Sequence, residues 1–145
     1  MKPIVRTERA ETPVMFLQVP DEPEQIREAW EKLERLVGSR RGRKFYGIFN
    51  AAAGTYRACV ELREGDQAEA LGLRRGKLEG GPYVRMRLRQ KAPPMHEQIV
   101  AVFEELQETS GRDRGRPRIE YYRGHGEVDV LMPVVPLPSE ALPLH

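Results

Sequence analysis

One order of elements, strand–helix–strand–strand, occurs twice along this chain. Each time an Arg- and Gly-rich loop leads from the helix into the next strand. A unit of that kind has one apolar face and cannot bury it alone, so two copies are expected to share a core. In the first copy the run Val14 to Val19 reads as a strand closed by Pro20. Asp21 and Glu22 ahead of Pro23, with Glu24 behind it, mark a helix start. Ile26, Ala29, Trp30, Leu33, Leu36 and Val37 follow at helical spacing, and Gly38 supplies a cap. The loop 39–44 leads to a strand at 45–49, the linker 50–54 turns the chain, and Tyr56, Ala58, Val60 and Leu62 alternate with Arg57, Glu61 and Arg63.

The second copy starts at Gly80-Gly81-Pro82, which launches a strand with Tyr83, Val84, Met86 and Leu88. Pro93 and Pro94 open a helix with Met95, Ile99, Val102, Phe103 and Leu106 on one stripe, ending near Gly111. The loop 111–116 leads to a strand at 118–122, and a tight turn at Gly124-His125-Gly126 leads to Val128, Val130 and Met132. The expected fold is α+β: two pseudo-symmetric β-α-β-β modules, at 13–63 and 78–135, linked by a connection at 64–77. They would form one domain over 1–135 with a joined antiparallel sheet and two helices, followed by a Pro-rich tail at 136–145. The groove between the helices is the expected place for a ligand.

Glu120 stands inside an otherwise apolar and aromatic strand, Ile119-Glu120-Tyr121-Tyr122. Burying an ionised carboxylate without a partner costs several kcal/mol. It must therefore face solvent, pair with Arg118 or Arg123, or face a cavity where a cation or a proton answers it. Alternation puts Tyr122 on its face and Ile119 and Tyr121 on the other. Trp30, the sole tryptophan, sits on a helix that borders the groove, and Tyr46, Phe49, Tyr83 and Tyr122 lie on strands expected to floor it. A carboxylate ringed by such side chains suits a cationic or aromatic guest, through cation–π contacts of about 0.5–2 kcal/mol each. The same residues could equally be core.

Charge narrows the partners. Lys+Arg 24 against Asp+Glu 22 gives +2, too balanced to point to a polyanion. The basic loops 39–44 and 111–118 have no interleaved aromatics and read as solvated connectors, so nucleic acid is not an expected partner. Cys59 is the single cysteine, which excludes an intrachain disulfide and fits a reducing cytoplasm; it reads as a packing residue. His96, His125 and His145 show no metal-ligand spacing, and no cofactor motif is present. No basic segment followed by an apolar run stands at the start, so a secretory leader is not expected, and no apolar stretch approaches the ~18–20 residues that span a bilayer.

Four pieces carry a likeness to a known family: the helix Glu24-Gln25-Ile26-Arg27-Glu28-Ala29-Trp30, the segment Lys44-Phe45-Tyr46-Gly47-Ile48-Phe49, the segment Leu78-Glu79-Gly80-Gly81-Pro82-Tyr83-Val84, and Ile119-Glu120-Tyr121-Tyr122 followed by residues 127–134. In this order, across roughly residues 13–135, the pattern resembles the GyrI-like small-molecule-binding domains. That family includes gyrase-inhibitory proteins and the effector domains of multidrug-responsive transcription activators. The resemblance implies paired β-α-β-β modules with a pocket between the halves. It also implies that Glu120 takes the place of a glutamate that meets cationic, hydrophobic ligands at the base of an aromatic pocket. Some stand-alone relatives are hydrolases that open strained rings with the pocket carboxylate.

Three functions follow as expectations. The first is a stand-alone binding protein for hydrophobic compounds, cationic aromatic ones among them. The second is a hydrolase with Glu120 as general base and Tyr46 or Tyr122 as proton donor. The third is an interaction module that inhibits a topoisomerase-like protein partner. One departure from the family stands at Arg85-Met86-Arg87-Leu88-Arg89, where many members carry small residues and a histidine. It leaves the charge of the pocket rim open and would shift ligand preference away from cations.

Overall fold

The computed structural model describes residues 4–38, 42–89, 95–106, 111–124 and 126–136. Loop residues 39–41, Pro93 and Pro94 at the expected helix start, His125 in the expected tight turn, and the tail from 137 onward lie outside the described residues.

The repeat takes shape as two modules. The first runs β2 (Thr12–Pro20), α1 (Pro23–Val37), β3 (Phe45–Asn50) and β4 (Thr55–Glu61); the second runs β6 (Gly81–Arg89), α2 (Met95–Leu106), β7 (Arg118–Gly124) and β8 (Glu127–Pro133). With β1 (Ile4–Arg9) and β5 (Arg74–Leu78) they form one eight-stranded antiparallel sheet in the order β1-β6-β8-β7-β3-β4-β2-β5. Each module supplies three adjacent strands in mirrored order, and the modules meet along β3 and β7.

Strands β1 and β5 are not among the elements expected from the sequence, in which 64–77 is a connection only. That stretch also holds a single 3-10 turn at Glu69–Leu71. Each of these extra strands precedes one module and pairs with the other: β1 with β6, β5 with β2. One unbroken register runs from Ile4↔Met86 to Arg9↔Gly81 and resumes from Thr12↔Leu78 to Phe16↔Arg74. The two modules are thus joined by a single long ribbon as well as by the β3–β7 seam. Gly80 sits at the ribbon's midpoint, where a Cβ would lie 2.7 Å from Glu11 N and 3.0 Å from Arg9 O. Those are backbone atoms, so only glycine fits the close approach.

Both helices cover one face of the sheet. Pro23 at the first turn and Gly38 at φ 83, whose N–H donates to the Glu34 carbonyl, bound α1 as the sequence implies. Its stripe buries Ile26, Ala29 and Leu33. These pack with Ile99, Val102, Phe103 and Leu106 of α2 over Met15, Phe45, Phe49, Tyr56, Met86, Val130 and their neighbours. Full burial of a side chain such as Leu33 contributes about 1.5–3 kcal/mol. The opposite face carries a smaller cluster of Val14, Phe16, Tyr46, Ile48, Cys59, Leu78, Tyr83, Ile119 and Leu131. Cys59 packs there, fully buried, and burial pushes its thiol well up.

Candidate functional site

Glu120 comes from the middle of β7, beside the module seam, on the helix face of the sheet. It is 2% exposed and has neither Arg118 nor Arg123 as its partner. Tyr122, two residues on and therefore on the same face, donates its hydroxyl to Glu120 Oε1 at 2.6 Å. Tyr56 donates to the same oxygen from β4, two strands away, at 2.7 Å. The tyrosine reaches across because Gly47 lies between them on β3, opposite Glu120 on one side and Ala58 on the other. A Cβ at Gly47 would collide with Tyr56 Oη and Glu120 Oε1. That glycine makes the room in which the carboxylate and hydroxyl meet.

Trp30 closes the arrangement from α1. Its indole Nε1 donates to Tyr56 Oη at 2.9 Å, and its ring stands edge-on to Phe45, Tyr56 and Tyr122 at 6.2, 6.5 and 5.2 Å. Phe49 packs edge-on to Tyr56 and to Phe103 of α2. A cavity of about 160 Å³ opens beside this cluster, lined by Trp30, Glu34, Phe45 and Tyr122. Glu120 lies behind that aromatic layer.

Electrostatics follow from the burial. Desolvation pushes the Glu120 carboxyl up; the Tyr122 and Tyr56 hydroxyls draw it part of the way back, and Asp21 adds a small repulsion, leaving it at about 7. Burial, with the neighbouring carboxylate, raises both tyrosines well above the usual phenol range. Near neutral pH the group can therefore exchange a proton or hold a charge. A carboxylate so placed can counter a cation or accept a proton from water.

Of the expected site residues, Glu120, Trp30, Phe49 and Tyr122 come together on the helix face. Tyr46 and Tyr83 do not, and their expected place in the groove is corrected. Tyr46 lies across the sheet, stacked on Tyr121 at 5.0 Å with Arg9 over its ring. Tyr83 is in the same far cluster, its hydroxyl donating to the Glu79 carbonyl at 2.6 Å. The reason is the pleat. Tyr46 is three residues from Phe49 on one strand, and Tyr83 is one residue from Val84, so neither pair can share a face. The same alternation answers the question of the rim's charge: with Met86 and Leu88 in the helix-side core, Arg85, Arg87 and Arg89 point the other way. Arg87 is held by Asp129 and Arg89 by Glu127, at 2.7 Å each. Tyr56 is the site residue that the sequence reading missed, although Gly47 between two aromatics of one strand signals a close approach.

No family model and no curated protein matches the chain by sequence. Among solved structures, an integron cassette protein from the mobile metagenome of Vibrio cholerae is 17% identical, with a TM-score of 0.66 over 91% of this chain and 95% of that one. The structure of SAV2435 bound to tetraphenylphosphonium is 12% identical, with a TM-score of 0.66 over 96% and 98%. A hydrolase from Listeria innocua is 16% identical, with a TM-score of 0.61 over 92% of each. These likenesses span nearly the whole chain and are consistent with a GyrI-like fold. No described helix is long and apolar enough to cross a membrane.

Proposed function

We propose that this chain is a binding protein for hydrophobic, cationic aromatic small molecules, with Glu120 as the counter-charge at the base of the pocket. The observation that carries this reading is a buried carboxylate that holds two tyrosine hydroxyls on one oxygen beneath a layer of Trp30 and Tyr122. Both hydroxyls go to Oε1, which leaves Oε2 for a guest. Glu34 at the cavity wall adds a second acid on the approach. The similar protein SAV2435, bound to tetraphenylphosphonium, supports the same class of ligand.

The cavity of about 160 Å³ is smaller than the ~300–1,000 Å³ that holds a drug-sized ligand. Such a guest must therefore displace Trp30 and break its bond to Tyr56. Titration with tetraphenylphosphonium is expected to shift the emission of Trp30 with the same midpoint that calorimetry gives for binding. Absence of binding sinks the reading. Saturable binding with unchanged emission would place the guest elsewhere.

A second reading is favoured by the Glu120 carboxyl at about 7. A base poised near neutral pH suits activation of water against an electrophilic, planar natural product, with Tyr122 or Tyr56 as proton donor. The hydrolase from Listeria innocua supports this alternative. Turnover of a strained-ring electrophile that vanishes in Glu120→Gln would decide for it.

A further inference from the structure

A second concavity, of about 460 Å³, lies where the β3–β4 turn meets the segment that enters β7. Its cationic lining is Arg57, Lys77, Arg112, Arg114, Arg116 and Arg118, and its one acid is Glu79. The segment 111–118 is therefore more than the solvated connector that its composition implies.

Some of these cations are already spent. Arg116 is a strut: Asp113 accepts from it at 3.0 Å, and the carbonyls of Gly80, Pro82 and Val134 accept at 3.1, 2.7 and 2.8 Å. Lys77 pairs with Glu11 at 3.1 Å. Arg57 is tied to Gln18 and lies over the Phe16 ring. Arg112, Arg114 and Arg118 have no ion pair among the described residues. Arg118 is held over Phe103 and Phe49, its guanidinium carbon 5.0 and 5.8 Å from their ring centres. Burial and, after it, the charge of Arg112 disfavour its charged form, while Asp21 favours it. Arg112 has a buried Nε with no hydrogen-bond partner, while its backbone is fixed by a bridge to Val134.

Three observations converge. Two arginines repel one another in a partly desolvated place, a buried N–H donor is left unsatisfied, and the concavity is of the size that holds a small ligand. An anion with several acceptor oxygens would answer all three. Guanidinium forks match phosphoryl oxygens in bidentate geometry. The chain's net charge of +2 supplies no broad field for a polyanion, so the attraction is local to this groove.

We propose that this groove is a binding site for a phosphorylated small molecule, separate from the Glu120 pocket, in which Arg112, Arg114 and Arg118 hold the phosphoryl oxygens. Calorimetric titration of the full chain with pyrophosphate at physiological salt is expected to give one site per chain. Arg112→Gln is expected to weaken it about tenfold or more, and Arg114→Gln severalfold. Arg27→Gln, which removes an exposed charge paired with Glu31 on α1, is expected to change it less than about twofold, as is Glu120→Gln. Arg114 is exposed and carries the test should Arg112→Gln fail to fold. Absence of saturable binding overturns the proposal, and so does an equal loss in Arg27→Gln. Citrate binding as tightly as pyrophosphate would overturn the phosphoryl assignment. Tighter binding of a short single-stranded oligonucleotide, weakened alike by Arg112→Gln and Arg114→Gln but not by Arg27→Gln, would make the surface a nucleic-acid face instead.

Discussion

Gly47→Ala is expected to cost this fold about 3–5 kcal/mol. The new methyl would land on Tyr56 Oη and Glu120 Oε1, with Tyr56 Cζ at 2.8 Å. None of these atoms can step aside cheaply. Tyr56 is 1% exposed and tied to both Glu120 and Trp30, and β3 is paired on both edges. Overpacking a core costs about 1–3 kcal/mol. Each hydrogen bond lost as Tyr56 is driven out contributes about 1 kcal/mol more. Against a typical stability of about 5–15 kcal/mol the loss is large. Urea denaturation measures it. Tyr56→Phe removes the struck oxygen, so in a double-mutant cycle the two changes should couple favourably by about 1 kcal/mol or more. A single Gly47→Ala variant within about 0.5 kcal/mol of wild type would mean that Tyr56 and Glu120 do not meet over this glycine.

The sequence made one half of that site legible. Glu120 stands out because it breaks an apolar strand, and the period of two alone puts Tyr122 beside it. Trp30 follows from the helical stripe. Tyr56 does not follow, because its bond to Glu120 crosses β3, and which residues of β4, β3 and β7 stand opposite one another is a matter of tertiary register. Local alternation, applied strictly, would have kept Tyr46 and Tyr83 out of the groove, since each is an odd number of residues from a residue on the helix face. The fold shows the same division. Both modules are read from helix starts, caps and alternation. Strand β5, Arg74-Arg75-Gly76-Lys77-Leu78, carries three charges and a glycine, and β1 is an edge strand with Ile4 47% exposed. Neither has the apolar run that marks a strand, and each exists through pairing with the other module.

Glu120→Gln is expected to separate charge from shape. The carboxyl has a value of about 7 in the folded chain against an ordinary 4.5, so the folded state holds this proton more tightly than the unfolded state does. Its contribution to stability is full below pH 4.5 and is lost as pH rises through about 7. At about 1.4 kcal/mol per unit, the loss over that window is roughly 3 kcal/mol. The glutamine variant accepts the same two hydroxyls with no proton to lose. It should match wild type at pH 4.5, show no fall over the same window, and be the more stable protein at pH 8. Binding should move the opposite way. Wild-type affinity for tetraphenylphosphonium should rise with pH, by up to about tenfold per unit below pH 7, and level off above it. The variant should show no such rise and bind more weakly at pH 8 by about tenfold to a hundredfold, the worth of a charge-assisted contact of about 1.5–3 kcal/mol. A neutral isostere of the ligand should bind both proteins alike at every pH. Thermal unfolding and calorimetry across pH 4–8 measure the two trends. If stability shifts as expected while cation binding matches wild type, Glu120 is a buried proton store that no guest reaches, and the proposed pocket is elsewhere. If neither shifts, the carboxylate is solvated and the aromatic layer does not cover it.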